Sequence, residues 1–253
     1  MGVRLPVFPL ETVLFPGLVL PLHIFEQRYL ELIRHLIALP EGTPREFGVV
    51  AIRSGGTAPV VAGPAGNGPG EEDPGDDGPT RSPAGATATP PAVALHEIGC
   101  TAELRQVTEL PDGRLNVVTV GRRRFRITNI DHETTPYLTA DVEWLPEPAG
   151  QEQDADLLAP RVLAVFRQYL ALIRNDPEES AEQLPDDPTV LSHLVAATAA
   201  LTLADRQRLL ATPDTAGRLR AELRLLNREA ALLRHVRAVP VPLAELAVPL
   251  SPN

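Results

Sequence analysis

Apolar positions change their period along this chain. From residue 3 to about 147 they come in short runs separated by turn residues, the pattern of β-strands. Val3 to Phe8 and Leu18 to His23 are the first two runs. Phe15-Pro16-Gly17 leads into the second, with Pro and Gly placed as a type II turn wants them. Pro6, Pro9 and Pro21 have no amide to donate, which predicts strands that lie at sheet edges or begin and end at these residues. In "IFEQRYLELIRHLIAL" the apolar spacing switches to three and four, which predicts a helix from Phe25 to Ala38, stopped by Pro40. Residues 46–53 read as a strand, and 97–110 and 114–120 as a hairpin about Pro111-Asp112-Gly113. Gly121 permits a sharp turn or bulge, residues 122–130 continue the pattern, and Tyr137 to Trp144 supply a last strand. Six or seven strands and one helix suffice for a small closed or nearly closed barrel.

Beyond Pro146 and Pro148 the period is helical. Helices are predicted from Asp154 to Asn175, from an N-cap at Thr189 through Ala200, within "LTLADRQRLL", and from Ala216 to Arg237. In the last of these, Leu219, Leu223, Leu226, Ala230, Leu233 and Val236 step by three and four, as in a helical bundle. The class is therefore α+β: a β-rich barrel with one helix (1–148), a helical bundle (149–239) and a proline-rich tail (240–253). Residues 54–94 interrupt the barrel. They hold no Leu, Ile or aromatic residue and crowd Glu71, Glu72, Asp73, Asp76 and Asp77 together, which predicts a disordered loop insertion.

Charge and chemistry narrow the picture. The net charge is −10, and nucleic acid and anionic membranes both require basic surfaces. All 23 basic residues are Arg. Without Lys the chain has no P-loop lysine, no Ser-Lys dyad and no Schiff-base amine. Cys100 is alone, so there is no disulfide framework or cysteine-based zinc site, as in a reducing, cytoplasmic setting. The apolar run from Val13 to Ile24 is broken by Pro16, Gly17 and Pro21, too short and too interrupted for a membrane span. His23, His35, His96, His132, His193 and His235 stand singly, and no serine sits in a nucleophile elbow. The chain is therefore expected to have no catalytic centre, metal or cofactor.

The most basic run is Gly121-Arg122-Arg123-Arg124-Phe125-Arg126. Strand alternation puts Arg122, Arg124 and Arg126 on one face and Arg123, Phe125 and Ile127 on the other. An anion or RNA contact is one reading of that row. Pairing with carboxylates such as Glu103, Glu109 and Glu143 is the preferred one, because the aromatic interleaving of an RNA platform is missing.

Several of these stretches occur together in a known family. "LPVFPLETVLFPGLVLPLHIFEQRY", then "FGVV", then "EIGCTAELRQVTELPDGRLNVVTVGRRRFRI", then "LADRQRLL…RLRAELRLLNREAALL" resemble, in order, the N-terminal substrate-binding domain of Lon proteases. The residues carrying the likeness include Pro9, Pro21, Phe25, Glu26, Arg28, Tyr29, Gly99, Asp112, Gly113 and Phe125. The resemblance implies a PUA-like pseudo-barrel followed by a helical bundle. It implies a role in capturing unfolded polypeptide, as that domain does for an ATPase ring and a Ser-Lys peptidase. With neither of those domains in this chain, it resembles a stand-alone bacterial substrate-binding-domain protein: non-enzymatic, cytoplasmic and allied to protein quality control. Its expected partners are extended polypeptides and a separate protease or chaperone. Phe15, Pro16 and Leu18 at the turn tip, with Arg122 and Arg124 for charge, are the expected peptide contacts. The competing reading is a PUA-like module for RNA or a small ligand.

Overall fold

The computed structural model describes residues 3–53, 94–150, 152–173 and 184–238. The insertion expected at 54–94, except Ala94, and the tail expected at 240–253 lie outside the described residues. The chain divides into two compact units, one ending at Trp144 and one beginning at Leu145.

The first unit contains β1 (Val3–Leu10), β2 (Val19–Ile24), α1 (Gln27–Ile37), β3 (Glu46–Ala51), β4 (Ile98–Glu109), β5 (Leu115–Asp131) and β6 (Thr139–Trp144). The strand order is β2-β5-β4-β3-β1-β6, and β6 pairs back onto β5. Five strands thus close a ring, while β2 lies along the first half of the same β5 edge whose second half holds β6. β1 and β3 run parallel, and every other pair is antiparallel.

Two apolar clusters lie on opposite faces of this sheet. Leu5, Val7, Val50, Phe125, Ala140 and Val142 fill the inside of the ring. Gly48 and Gly99 leave room for the Phe125 ring, since a Cβ on either would come within 2.6 Å of its tip. On the other face Phe8, Phe47, Val49, Cys100 and Ala102 pack beneath Tyr29, Leu32, Ile33 and Leu36 of α1. Apolar side chains on both faces explain why β1 and β3 read as nearly continuous hydrophobic runs.

β1 is an inner strand between β3 and β6, not the edge its prolines predict. Split pairing reconciles the two. The amide of Val7 donates to Leu138 O on the β6 side at 2.8 Å, so the donor missing at Pro9 faces beyond the start of β6. The donor missing at Pro6 faces β3, whose ladder with β1 begins only at Val7. β2, by contrast, is an edge strand and carries Pro21 at its middle.

The second unit contains α2 (Glu152–Ile173), α3 (Pro188–Thr198), α4 (Leu203–Ala211) and α5 (Thr215–Ala238). α2 packs along α5, and α3 packs against both. Residues 145–150 are tied to these helices: Thr215 N donates to Pro148 O at 3.1 Å, and Arg218 bridges to Glu147 at 3.3 Å. The N-cap of α3 is Asp187, not Thr189; its Oδ1 accepts from the amides of Thr189 and Val190 at 2.8 Å, with Pro188 at the first helical position. Asp187→Ala is expected to lower the stability of this unit by about 1 kcal/mol, measured by urea unfolding followed at a helical circular-dichroism band.

Candidate functional site

The turn before β2 is where the sequence places its polypeptide contacts. Leu18 N donates to Phe15 O at 3.2 Å, and Gly17 takes a φ of 80°, the left-handed conformation that glycine permits. The turn is docked on β5, with Gly17 N donating to Gly121 O and Gly121 N to Leu18 O, both at 2.8 Å. Phe15 is 0% exposed, so its ring anchors the turn in the fold and offers no surface to a ligand. Pro16 and Leu18 are half-buried, and Leu18 packs against the α1-side cluster.

The structure does bring Arg122 beside this turn, as the neighbour of Gly121, but it does not build a row of arginines. Cys100 pairs with Arg124 and Ala102 with Gly121, so Thr101 faces two residues, Arg122 and Arg123. That extra residue is a β-bulge, and the amide of Arg123 is satisfied by the Thr101 hydroxyl at 3.1 Å. The bulge reverses the alternation. Arg122 and Arg123 are both exposed, while Arg124 is 1% exposed, turned inward beside Cys100, with Phe125 buried on the opposite face. The exposed pair is engaged internally: Arg122 with Glu103 at 2.9 Å, Arg123 with Glu46 at 3.5 Å and over the Trp144 ring at 3.9 Å. Carboxylate pairing is therefore the structural role of Arg122 and Arg123, with Glu103 among the expected partners and Glu46 in addition. Arg124 is corrected from a surface contact to a core residue.

An exposed apolar face lies next to the turn, on β2 itself. By register Val19, Pro21 and His23 stand opposite Val120, Val118 and Asn116 of β5, on the side of the sheet away from α1. Val19 is 61% exposed, Pro21 is exposed, and Phe25 just past the strand is 41% exposed. Val118 and Val120 are half-buried beside them. His23 and Asn116 share a hydrogen bond of 2.8 Å, and the His23 ring lies 6.4 Å from that of Phe25. Among the described residues β2 pairs only with β5, so its other edge is open. Leu18 directs its carbonyl to β5, so alternation turns the backbone groups of Val19, Pro21 and His23 outward. The open edge therefore offers carbonyls at three positions and amides at two, since Pro21 has none.

This face escaped the sequence reading because "VLPLHI" is apolar at nearly every position and reads as buried on both sides. The available signal was Pro21, whose missing donor marks an edge. The remaining signature residues hold the fold. Tyr29 stacks on Phe8 with centroids 3.9 Å apart, and burial raises its hydroxyl pKa to about 12. Arg28 bridges to Glu26 at 2.7 Å and covers the Tyr29 ring at 4.7 Å; Glu26 is the N-cap residue but makes no side-chain cap. Asp112 accepts from Arg114 Nε at 2.6 Å, which holds its carboxyl below the ordinary value, and Gly113 turns the β4–β5 hairpin at φ 81°. Among the described residues no group of His, Cys, Asp or Glu is placed to hold a metal, and no helix is long and apolar enough to cross a membrane.

A ringed mixed sheet extended by a strand with an open apolar edge, followed by four helices, defines an α+β fold. The family model described as "ATP-dependent protease La (LON) substrate-binding domain" matches residues 4–228, and the chain belongs to that family. What is matched is this substrate-binding domain, not an ATPase or peptidase domain. Among curated proteins, Lon protease 1 of Thermus thermophilus is 35% identical over 140 residues, covering 53% of this chain and 17% of that protein. Lon protease of Flavobacterium johnsoniae is 26% identical over 234 residues, covering 90% of this chain and 24% of that protein. The chain thus spans about a sixth to a quarter of its curated relatives' length. The solved N-terminal domain of Mycobacterium avium complex Lon protease superposes with a TM-score of 0.59 at 18% identity, covering 90% of this chain and 98% of that one. A Lon N-terminal domain protein of Xanthomonas campestris gives 0.51 at 20% identity, covering 86% and 95%. At these identities the likeness is one of fold.

Proposed function

We propose that this chain is a non-enzymatic module that binds unfolded or extended polypeptide along β2 and serves as an adaptor in protein quality control. The observation that carries this reading is the exposed apolar strip of Val19, Pro21 and Phe25 on a strand with an open edge. An extended segment laid beside β2 gains backbone hydrogen bonds from the edge and burial of its alternate side chains against the strip. Pro21 withholds the middle amide. That limits each ligand to a short, incomplete ladder and keeps the edge from pairing continuously with a second copy. Family membership supports a substrate-binding role, and the engaged arginines of the bulge favour polypeptide over RNA.

The test is a double substitution, Val19→Asp with Phe25→Ser, assayed for binding to a reduced and alkylated unfolded protein. Val19 is largely exposed and Phe25 partly so, and the melting temperature should stay close to the range typical of surface changes. Affinity is expected to fall about tenfold to a hundredfold, the equivalent of losing one or two buried apolar side chains. Wild-type affinity in the folded double variant, or no binding by the wild type, would refute the reading.

A further inference from the structure

A concave site lies on the other face of the β4–β5 hairpin, under α1, and the function proposed above does not use it. It is an open groove of about 410 Å³, within the range of small-ligand pockets. Its apolar floor is formed by Ile37, 42% exposed at the end of α1, with Leu104 and Val107 of β4 and Leu115 of β5. Three arginines line it: Arg34 from the last turn of α1, Arg45 from the loop before β3, and Arg105 from β4. The backbone places two of them deliberately. Arg105 is the extra residue of a β4 bulge between Leu104 and Gln106, and Arg45 O accepts from Leu104 N at 2.9 Å, fastening its loop to that bulge.

The charge is what calls for a ligand. In a chain of net charge −10, carboxylates outnumber arginines, and surface arginines such as Arg4, Arg114 and Arg122 have found one. Here Arg105 reaches Glu103 at 3.2 Å, and Arg45 donates to the Leu39 carbonyl at 3.4 Å. Among the described residues no carboxylate lies within ion-pair distance of Arg34 or Arg45. Glu109 is the one carboxylate in the lining, beside Arg34, Arg45 and the already paired Arg105. A cation in the last turn suits the dipole of α1, which accounts for Arg34 alone and not for the other two.

We infer that this groove binds an acidic, apolar segment of extended polypeptide, taking a Glu or Asp side chain between the Arg34 and Arg45 guanidiniums and an adjacent apolar side chain on the Ile37–Val107 floor. A planar guanidinium fork matches a carboxylate in two parallel hydrogen bonds, and Arg clusters are a general means of reading acidic motifs. The carboxylate replaces the anion the fold omits, and the floor explains why a bare anion is not the whole ligand. The site extends the polypeptide-binding role to a second, charge-selective contact on the opposite face from β2.

Fluorescence anisotropy with two short labelled peptides of capped termini tests this, one of sequence Leu-Glu-Phe-Asp-Leu and one with Gln and Asn in place of the acids. The full chain is expected to bind the acidic peptide at least about tenfold more tightly, the effect of one charge-assisted contact. That preference should shrink when salt rises from about 50 mM to about 500 mM. It should vanish in the Arg34→Gln/Arg45→Gln variant, be reduced in the exposed single variant Arg34→Gln at an unchanged melting temperature, and persist in Val19→Asp/Phe25→Ser. Loss of unfolded-protein binding in the β2 variant with retained acidic-peptide preference supports both sites separately. Equal binding of the two peptides, an intact preference in the arginine variant, or its loss in the β2 variant overturns the groove proposal.

Discussion

Alanine at position 121 is expected to unfold the barrel or destabilise it by more than about 3 kcal/mol, well beyond an ordinary strand substitution. A Cβ on Gly121 would stand 2.1 Å from Phe15 O and 2.9 Å from its carbonyl carbon. Both are backbone atoms, so no rotamer change relieves the overlap. The turn cannot retreat cheaply, because Gly17 N and Leu18 O are bonded to Gly121 itself and the Phe15 ring is sealed in the core. Moving the turn away breaks two hydrogen bonds, each worth about 1 kcal/mol net, and opens a cavity where Phe15 sits, to which core aromatics contribute about 3–5 kcal/mol. Gly113 is the internal control. It has a positive φ of 81° but open space about its Cα, so Gly113→Ala should lose only about 1–2 kcal/mol of backbone strain. Urea unfolding followed by Trp144, the only tryptophan, reads both variants. If Gly121→Ala unfolds within about 1 kcal/mol of the wild type, the turn is not locked as described.

The same contact explains what the "FPG" turn does. Its conformation was legible from the order of Pro and Gly, but its place in the fold was not. A turn flanked by apolar residues looks the same whether its aromatic points to solvent or into a core. Only the partner strand decides, and that strand begins nearly a hundred residues later. By fixing Phe15 on Gly121, the turn starts β2 in register with β5, and the register puts Val19 and Pro21 on the outer face. The residue expected to touch a ligand is thus the anchor that presents the proposed contact surface.

Alternation failed at the arginine run for a related reason. Period two predicts faces only while a ladder is unbroken: Phe125 and Ile127 share a face as expected, but the extra residue opposite Thr101 separates Arg122 from the face of Arg124. Thr101 supplies the hydroxyl that satisfies the bulge, but nothing in "GCTAEL" announces that use. The prolines of β1 misled in the same way, because an inner strand tolerates proline where its neighbour has already ended. The local elements were readable: the Asp112-Gly113 hairpin, the helix of period three and four after β2, and the long amphipathic last helix. Ring closure through β5–β6, and the groove that a β4 bulge opens beneath α1, are products of non-local pairing. No short stretch of sequence encodes them.

Replacing Glu222 by methionine is expected to stabilise the helical unit at slightly alkaline pH. Glu222 is wholly buried on α5, and neither carboxyl oxygen has a hydrogen-bond partner among the described residues. Burial pushes its pKa well above the ordinary carboxyl value, against the smaller opposing pull of Arg218 one turn earlier. Arg218 is itself committed elsewhere, to Ser192 Oγ at 2.9 Å and Glu147 at 3.3 Å. At pH values between the ordinary carboxyl value and the raised one, the folded chain therefore holds a proton here that the unfolded chain releases. A group with a raised folded pKa of this kind gives no penalty below the ordinary carboxyl value, and stability falls as pH rises from there towards the raised value. Methionine has similar length and no charge. Replacing a buried ionisable group by a packed apolar one is worth about 1–4 kcal/mol where the ionised form is disfavoured. For a unit of this size that amounts to a rise of several degrees or more in melting temperature at about pH 8 and less at about pH 5. Glu222→Gln separates the two contributions: it abolishes the pH slope but keeps unpaired polar atoms in the core, so it should gain less than methionine. Thermal melts at a helical circular-dichroism band would decide. If both variants melt below the wild type at about pH 8, Glu222 is ionised and held by Arg218, and the helical core is built around a buried ion pair rather than a buried acid.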